Sequence, residues 1–242
     1  MQTNQNQLGE EERKKLVDKA SQTLWQDAGK PALAYFLEQR NISEDVIKKF
    51  NFGYVPLKVN HRCAGRLIFP IYDSYGRLIS VSTRHFHRQK KDQGYFWHES
   101  FEKSLYLYGL NFAKKNIFRA RKAVLVEGEI DTSVLHSHGI NIAVGVCGSS
   151  LSIFQASILS RYCNELYLMF DGDKAGTASI KRVKEMDKGY SLTDRGMKII
   201  PCQLPEGCDP DEFIIERGSK AVIDLMKSRQ SERLFELEMT KG

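Results

Sequence analysis

The chain is 242 residues long, room for one large domain or two small ones, and 41% hydrophobic residues, 27% charged residues and 6 Pro against 18 Gly exclude a disordered, collagenous or low-complexity protein. The net charge of +6 is unevenly spread: residues 1–57 carry 8 Lys/Arg and 8 Asp/Glu, residues 58–122 carry 14 against 4, and residues 123–242 carry 14 against 18. A basic block followed by an acidic one suits a protein that grips a polyanion with one part and holds divalent metal with the next, and the lack of any run near ~18 apolar residues or of a signal-peptide core predicts a cytoplasmic protein with no membrane partner.

In chain order, residues 1–28 are polar, with apolar residues such as Leu16, Val17, Ala20 and Leu24 in the pattern of a weakly amphipathic helix. Pro31 suits the first turn of a helix carrying Leu33, Phe36 and Leu37, and Ser43 with Glu44 and Asp45 reads as the capped start of a short helix that ends near Phe50, with Gly53 closing the unit. Residues 66–84 predict a hairpin, two apolar β-branched stretches around a turn at 73–76. Residues 85–103 combine Arg88, Lys90 and Lys91 with Tyr95, Phe96, Trp97 and then Lys103, which predicts an exposed loop carrying charge and stacking surface.

From residue 123 the pattern becomes regular. Residues 123–126, 142–146, 166–170 and 197–201 are short apolar runs without polar alternation, the signature of strands buried on both faces, with helical segments at 131–138, 151–161 and 175–188 between them. That order predicts an α/β fold, a mainly parallel sheet with helices on both faces, preceded by a smaller mixed α+β basic subdomain. The five cysteines are odd in number with no CxxC pair, so neither a disulfide framework nor a zinc ribbon is encoded, and the pairs His85/His87 and His136/His138 lack a third ligand nearby.

Acidic clusters follow two of the predicted strands. In VLVEGEID, Glu127 ends a strand, Gly128 allows a sharp turn and Asp131 begins a helix; in LMFDGDKAG, Asp171 and Asp173 bracket Gly172. Ligands of open α/β sheets bind at the carboxyl ends of strands, so both clusters are expected at one edge, with three or more carboxylates converging on a hard cation. Mg²⁺ is the natural choice, since it takes one or two carboxylates, keeps waters and reserves positions for phosphates. A third acidic segment, LPEGCDPDEF, holds Asp209, Asp211 and Glu212 and doubles as a helix start at Pro210. The sequence has no GxxxxGK[ST], no GxSxG and no GxGxxG after a strand, and Cys147 has no supporting His and reads as a packing residue.

EGEID and FDGDKAG, with the order of elements between them, resemble a Toprim domain. Together with YFLEQRNISEDVIKKFNFGYVP, GRLIFPIYDSYGRLISVSTR, FEKSLYLYGL and LPEGCDPDEFI they resemble, in order, the catalytic core of DnaG-type bacterial primases over about residues 31–214. The resemblance implies a catalytic glutamate at Glu127, metal-binding aspartates at Asp171 and Asp173, and further acids of the same site at Asp131 and Asp211. It places Arg66, Arg84 and Lys103 where the family lines its groove for template, primer and nucleotide, with Arg88, Lys90 and Lys91 adding charge. It also implies divisions at 1–30 (a helical extension), 31–120 (the basic subdomain), 121–205 (Toprim) and 206–242 (an acidic loop and helical tail).

The implied function is template-directed synthesis of RNA primers on single-stranded DNA from ribonucleoside triphosphates, with Mg²⁺ or Mn²⁺ and no zinc. A replicative helicase or a separate zinc-bearing subunit is an expected partner. The family's zinc-binding and helicase-binding domains have no counterpart in this sequence, and its GGR-like segment reads SVSTR, as in an isolated core or a compact relative of the kind mobile elements carry. The alternatives are a Toprim nuclease, in which water replaces the attacking hydroxyl, and a non-catalytic nucleic-acid-binding module.

Overall fold

The computed structural model describes residues 8–88, 92, 95–148, 150–190, 192–193 and 196–228. Two compact units divide the chain, Met1–Glu102 and Lys103–Gly242. The segment 103–120, grouped by sequence with the basic subdomain, falls in the second unit, where it supplies an edge strand and a helix.

The first unit opens with α1 (Glu10–Leu24), followed by α2 (Lys30–Ala34), which continues as a π-helical turn through Gln39, and α3 (Glu44–Phe50). The expected cap of α3 is present, with the Val46 N–H donating to Ser43 Oγ at 3.4 Å. Four antiparallel strands form its sheet in the order β1 (Gly53–Val55), β2 (Arg66–Tyr72), β3 (Leu78–His85), β4 (Phe96–His98). Gly53, read from sequence as closing a helical unit, instead starts β1, and a Cβ there would lie 2.7 Å from Ala20, so only glycine lets α1 pack this closely. The β2–β3 hairpin turns on Asp73, whose Oδ1 accepts from the N–H groups of Tyr75 (2.8 Å) and Arg77 (3.0 Å). Val17 and Ala20 of α1 pack on Val55, Ile68 and Val81, while Phe36, Phe52 and Phe69 form a second cluster with ring centroids 4.9–5.9 Å apart.

The segment predicted as an exposed loop departs from that expectation at its end. Residues 96–98 pair with β3, and Glu99 is 0% exposed. Glu99 accepts from Arg13 through both carboxylate oxygens at 2.7 Å and from the Leu8 N–H at 2.8 Å, which ties the start of α1 to the end of β4. Removing one member of such a pair leaves the other buried without compensation, so Glu99→Ala is expected to cost about 3–5 kcal/mol. A calorimetric transition of the first unit lowered by less than a few degrees contradicts this.

In the second unit a short 3₁₀ turn, Lys103–Leu105, leads into β5 (Leu107–Tyr108) and α4 (Leu110–Ala120). There follow β6 (Lys122–Val126), α5 (Glu129–Ser137), β7 (Ala143–Val146), α6 (Ile153–Leu159), β8 (Glu165–Leu168), α7 (Lys174–Tyr190), β9 (Lys198–Pro201) and α8 (Pro210–Lys227). The sheet order is β5-β7-β6-β8-β9, all parallel except β5. The four predicted strands are β6 to β9. Val124, Leu125 and Val126 are fully enclosed, each contributing about 1.5–3 kcal/mol by burial. His136 is buried with Nε2 3.0 Å from Ala143 O. All five cysteines are free. Among the described residues no helix is long and apolar enough to cross a membrane.

Candidate active site

Parallel strands deliver their carboxyl ends to one edge, and register decides what meets there. Leu125 lies opposite Leu168, and the Met169 N–H donates to Leu125 O at 2.9 Å, so the ladder between β6 and β8 runs to the end of both strands. Glu127 follows β6 directly and Asp171 comes three residues after the end of β8, both leaving neighbouring strands whose backbones are about 4.8 Å apart. Both are half-buried, as is Asp131, while Asp173 is exposed.

The Asp171–Gly172–Asp173 turn is clamped by the acidic segment after β9. The Gly172 N–H donates to Cys208 O at 2.9 Å, and the Gly207 N–H donates to Gly172 O at 2.8 Å. A Cβ at Gly172 would stand 2.0 Å from Pro205 O, and one at Gly176 2.0 Å from Asp171 O, so the two glycines of DGDKAG let this loop and the first turn of α7 close on the turn. Beside it lies a cavity of about 440 Å³ lined by Asp171, Asp173, Lys174, Lys181, Gln203 and Glu206 among others. Sequence reasoning missed Glu206 and Lys181. Glu206 lies in the LPEGCDPDEF segment, five residues past the end of β9 and so without the strand-end placement that marks Glu127.

The acids are placed at helix starts and hold backbone donors there. Asp131 Oδ2 accepts from the Gly128 N–H at 3.1 Å, Asp173 Oδ1 from the Gly176 N–H at 2.7 Å and Asp211 Oδ1 from the Glu212 N–H at 2.9 Å. Asp211 is only 4% exposed, sits in the first turn of α8 packed against α5, and does not line the cavity. Among the described residues no group of three or more His, Cys, Asp or Glu is placed to enclose a metal ion, so the expected convergence of three carboxylates is not found. Like charges gather only around a cation, and backbone N–H groups at helix starts are the alternative partners for carboxylates. The donor chemistry of Glu127, Asp131, Asp171, Asp173 and Asp211 is oxygen alone, which fits Mg²⁺ or Mn²⁺, ions that need only one or two carboxylates.

Lys103 reaches the same edge by topology. Because β5 runs antiparallel to β7, with Leu107 opposite Val146, the residues before β5 lie beyond the carboxyl end of β7. The Cys147 thiol just past that end is pushed up to about 12, by burial first and then by the charge of Glu129, with Lys103 among the groups opposing the rise. A thiol so held stays protonated at neutral pH, which suits packing rather than nucleophilic attack.

The basic candidates of the first unit divide by burial. Arg66 is 8% exposed and donates from Nη1 to Thr83 Oγ1 and Tyr95 O, both at 3.2 Å, so it is built into the sheet. Arg84 lies over the rings of Phe69 and Phe96, 5.8 and 5.5 Å from their centroids, with Phe96 42% exposed. Arg88 is exposed; Lys90 and Lys91 lie outside the described residues.

Comparison with known proteins adds the family. Residues 124–214 match the Toprim-like family model. The DNA primase of Aquifex aeolicus is 32% identical over 232 residues, which cover 83% of this chain and 45% of that protein. The chain spans about two fifths of the length of the curated relatives it matches. A structure of the DnaG catalytic core superposes with a TM-score of 0.80 at 28% identity, covering 90% of this chain and 79% of that one. A DnaG primase catalytic domain bound to ssDNA superposes at 0.79 with 26% identity, over 90% and 77%. The chain therefore carries a Toprim-like domain and is a homologue of the catalytic core of the DnaG-type DNA primases of bacteria.

Proposed function

We propose that this chain is the polymerising core of a DNA primase, a cytoplasmic protein that joins ribonucleotides into short primers on single-stranded DNA. The observation that carries the reading is the exit of Glu127 and Asp171 from adjacent parallel strands at one edge, in a chain with the fold of a primase catalytic core. Asp171 and Asp173, with Glu127, are the residues that would hold Mg²⁺ or Mn²⁺. Such an ion supplies charge neutralisation at the nucleotide's phosphates and acidifies the attacking 3′-hydroxyl. Glu127, where it is not itself a ligand, accepts the hydroxyl proton as the O–P bond forms and pyrophosphate leaves. Lys103 offers its ammonium to the triphosphate at the same edge. Asp131 and Asp211 support this edge from the first turns of α5 and α8.

In the first unit, Arg84 and Arg88 with the exposed ring of Phe96 offer phosphate contacts and a stacking face for single-stranded DNA. Affinity for DNA should then fall linearly in log–log form with salt, at about 0.7 of a unit per phosphate neutralised on a single strand. A replicative helicase or a zinc-bearing subunit is the partner class that would deliver template. The test is incubation with single-stranded DNA, labelled ribonucleotides and Mg²⁺ or Mn²⁺, beside Glu127→Gln. Short oligoribonucleotides from the unaltered chain alone support the reading. DNA degradation without incorporation supports a nuclease, and salt-sensitive binding with neither activity, even from a supplied primer, supports a binding module.

A further inference from the structure

We propose that Gln155 is a positioning residue that holds Lys103 toward the nucleotide, an inference that rests on the reading of Lys103 as a triphosphate contact. Gln155 stands in the first turn of α6 and is 1% exposed. Its Nε2 donates to Lys103 O at 3.1 Å and to Tyr106 O at 2.6 Å, while its Oε1 accepts from the Ser152 N–H at 2.9 Å. A primary amide has two N–H donors, and both are committed to the segment that carries Lys103. Ser152 Oγ completes the arrangement by donating to Ser104 O at 2.5 Å and accepting from the Gln155 N–H at 3.1 Å. The carbonyls of Lys103, Ser104 and Tyr106 thus all accept from side chains at the start of α6, and the Tyr106 N–H closes the turn on Lys103 O at 3.2 Å.

Capping alone does not account for this. A capping box needs only an acceptor at Gln155 Oε1, and Glu serves that purpose as well as Gln. The two Nε2 donations do something else: they fix the backbone of a short turn that β5 places beyond the carboxyl end of β7, with the Lys103 charge felt at Cys147. Three part-buried bonds set where the Lys103 side chain begins. Without them a 3₁₀ turn of three residues has little of its own to resist drift.

The chemistry supplies its own discriminating variant. Gln155→Glu keeps the acceptor that caps α6 and sets a carboxylate oxygen against two carbonyls in place of the amide donors. Gln155→Met, without a buried charge, is the companion in case the first fails to fold. Both are made in the full chain, alone and combined with Lys103→Ala. The readouts are amide hydrogen exchange over residues 103–106, equilibrium affinity for a fluorescent ATP analogue with Mg²⁺, and the KM and kcat of primer extension. The expected result is faster exchange over 103–106 and affinity and KM weakened about tenfold with kcat within about threefold, falling to under about twofold once Lys103 is already Ala. Effects that multiply in the double variant, unchanged exchange, or equal losses in kcat and DNA binding overturn the proposal. Lys103→Ala that leaves nucleotide affinity untouched overturns it as well. The affinity cycle reads the same coupling in a chain that extends no primer, so failure of the polymerase reading and failure of this inference are told apart.

Discussion

Asp171→Ala is expected to reduce ribonucleotide incorporation by at least about 10³-fold, the loss that follows when several kcal/mol of metal-dependent stabilisation disappear from the transition state. Single-stranded DNA binding is expected to stay within about twofold, since the residues offered to DNA, Arg84, Arg88 and Phe96, belong to the first unit while Asp171 belongs to the second. Calorimetry checks that the variant keeps its fold. Primer extension, fluorescence anisotropy with labelled oligonucleotide and calorimetry on one preparation decide it. Joint loss of incorporation and DNA binding, or incorporation that survives, sinks this division of labour between the units.

What the sequence makes legible follows from how each signal is encoded. Strands β6, β7 and β8 are buried on both faces, and that requirement writes continuous apolar runs that need no partner to be read, while the edge strand β9 is only partly buried and carries a shorter run. The same holds for the acids after β6 and β8, because the chain order places them at strand ends. β5 has two residues, Leu107 and Tyr108, and exists only through its pairing with β7, nearly forty residues on. No local pattern announces it, and so none marks the 103–120 segment as part of the second unit. Glu99 is hidden for a related reason: it sits in a polar stretch, and its partner Arg13 is 86 residues away. Arg66, placed at the groove by the resemblance, also bonds Thr83 and Tyr95 within its own sheet, contacts that no local pattern announces. Glu206 lines the cavity beside the DGD turn, and Gln155 bonds the 103–106 turn, by tertiary placement alone.

Gly172→Ala is expected to damage the site by tenfold or more, although no charge or ligand is touched. The requirement at Gly172 is space, not a left-handed backbone: it is absent from the positive-φ glycines, yet its Cβ would stand 2.0 Å from Pro205 O and 3.0 Å from Cys208 O. Those atoms are backbone, so no side-chain rotamer relieves the overlap, and the turn must separate from the loop that follows β9. Separation breaks the two backbone hydrogen bonds with Cys208 and Gly207 and moves both aspartates off the end of β8. Overpacking of this kind costs about 3 kcal/mol, and incorporation should fall at least about tenfold while the first unit's melting and DNA binding stay unchanged. Gly207, on the facing loop, is the internal control. It has φ of 75° and nothing within 4 Å of a built Cβ, so Gly207→Ala carries only the left-handed penalty of about 1 kcal/mol. If Gly207→Ala proves the more harmful of the two in calorimetry and primer extension, the clamp between the DGD turn and the 205–208 loop is not what holds the acidic edge together.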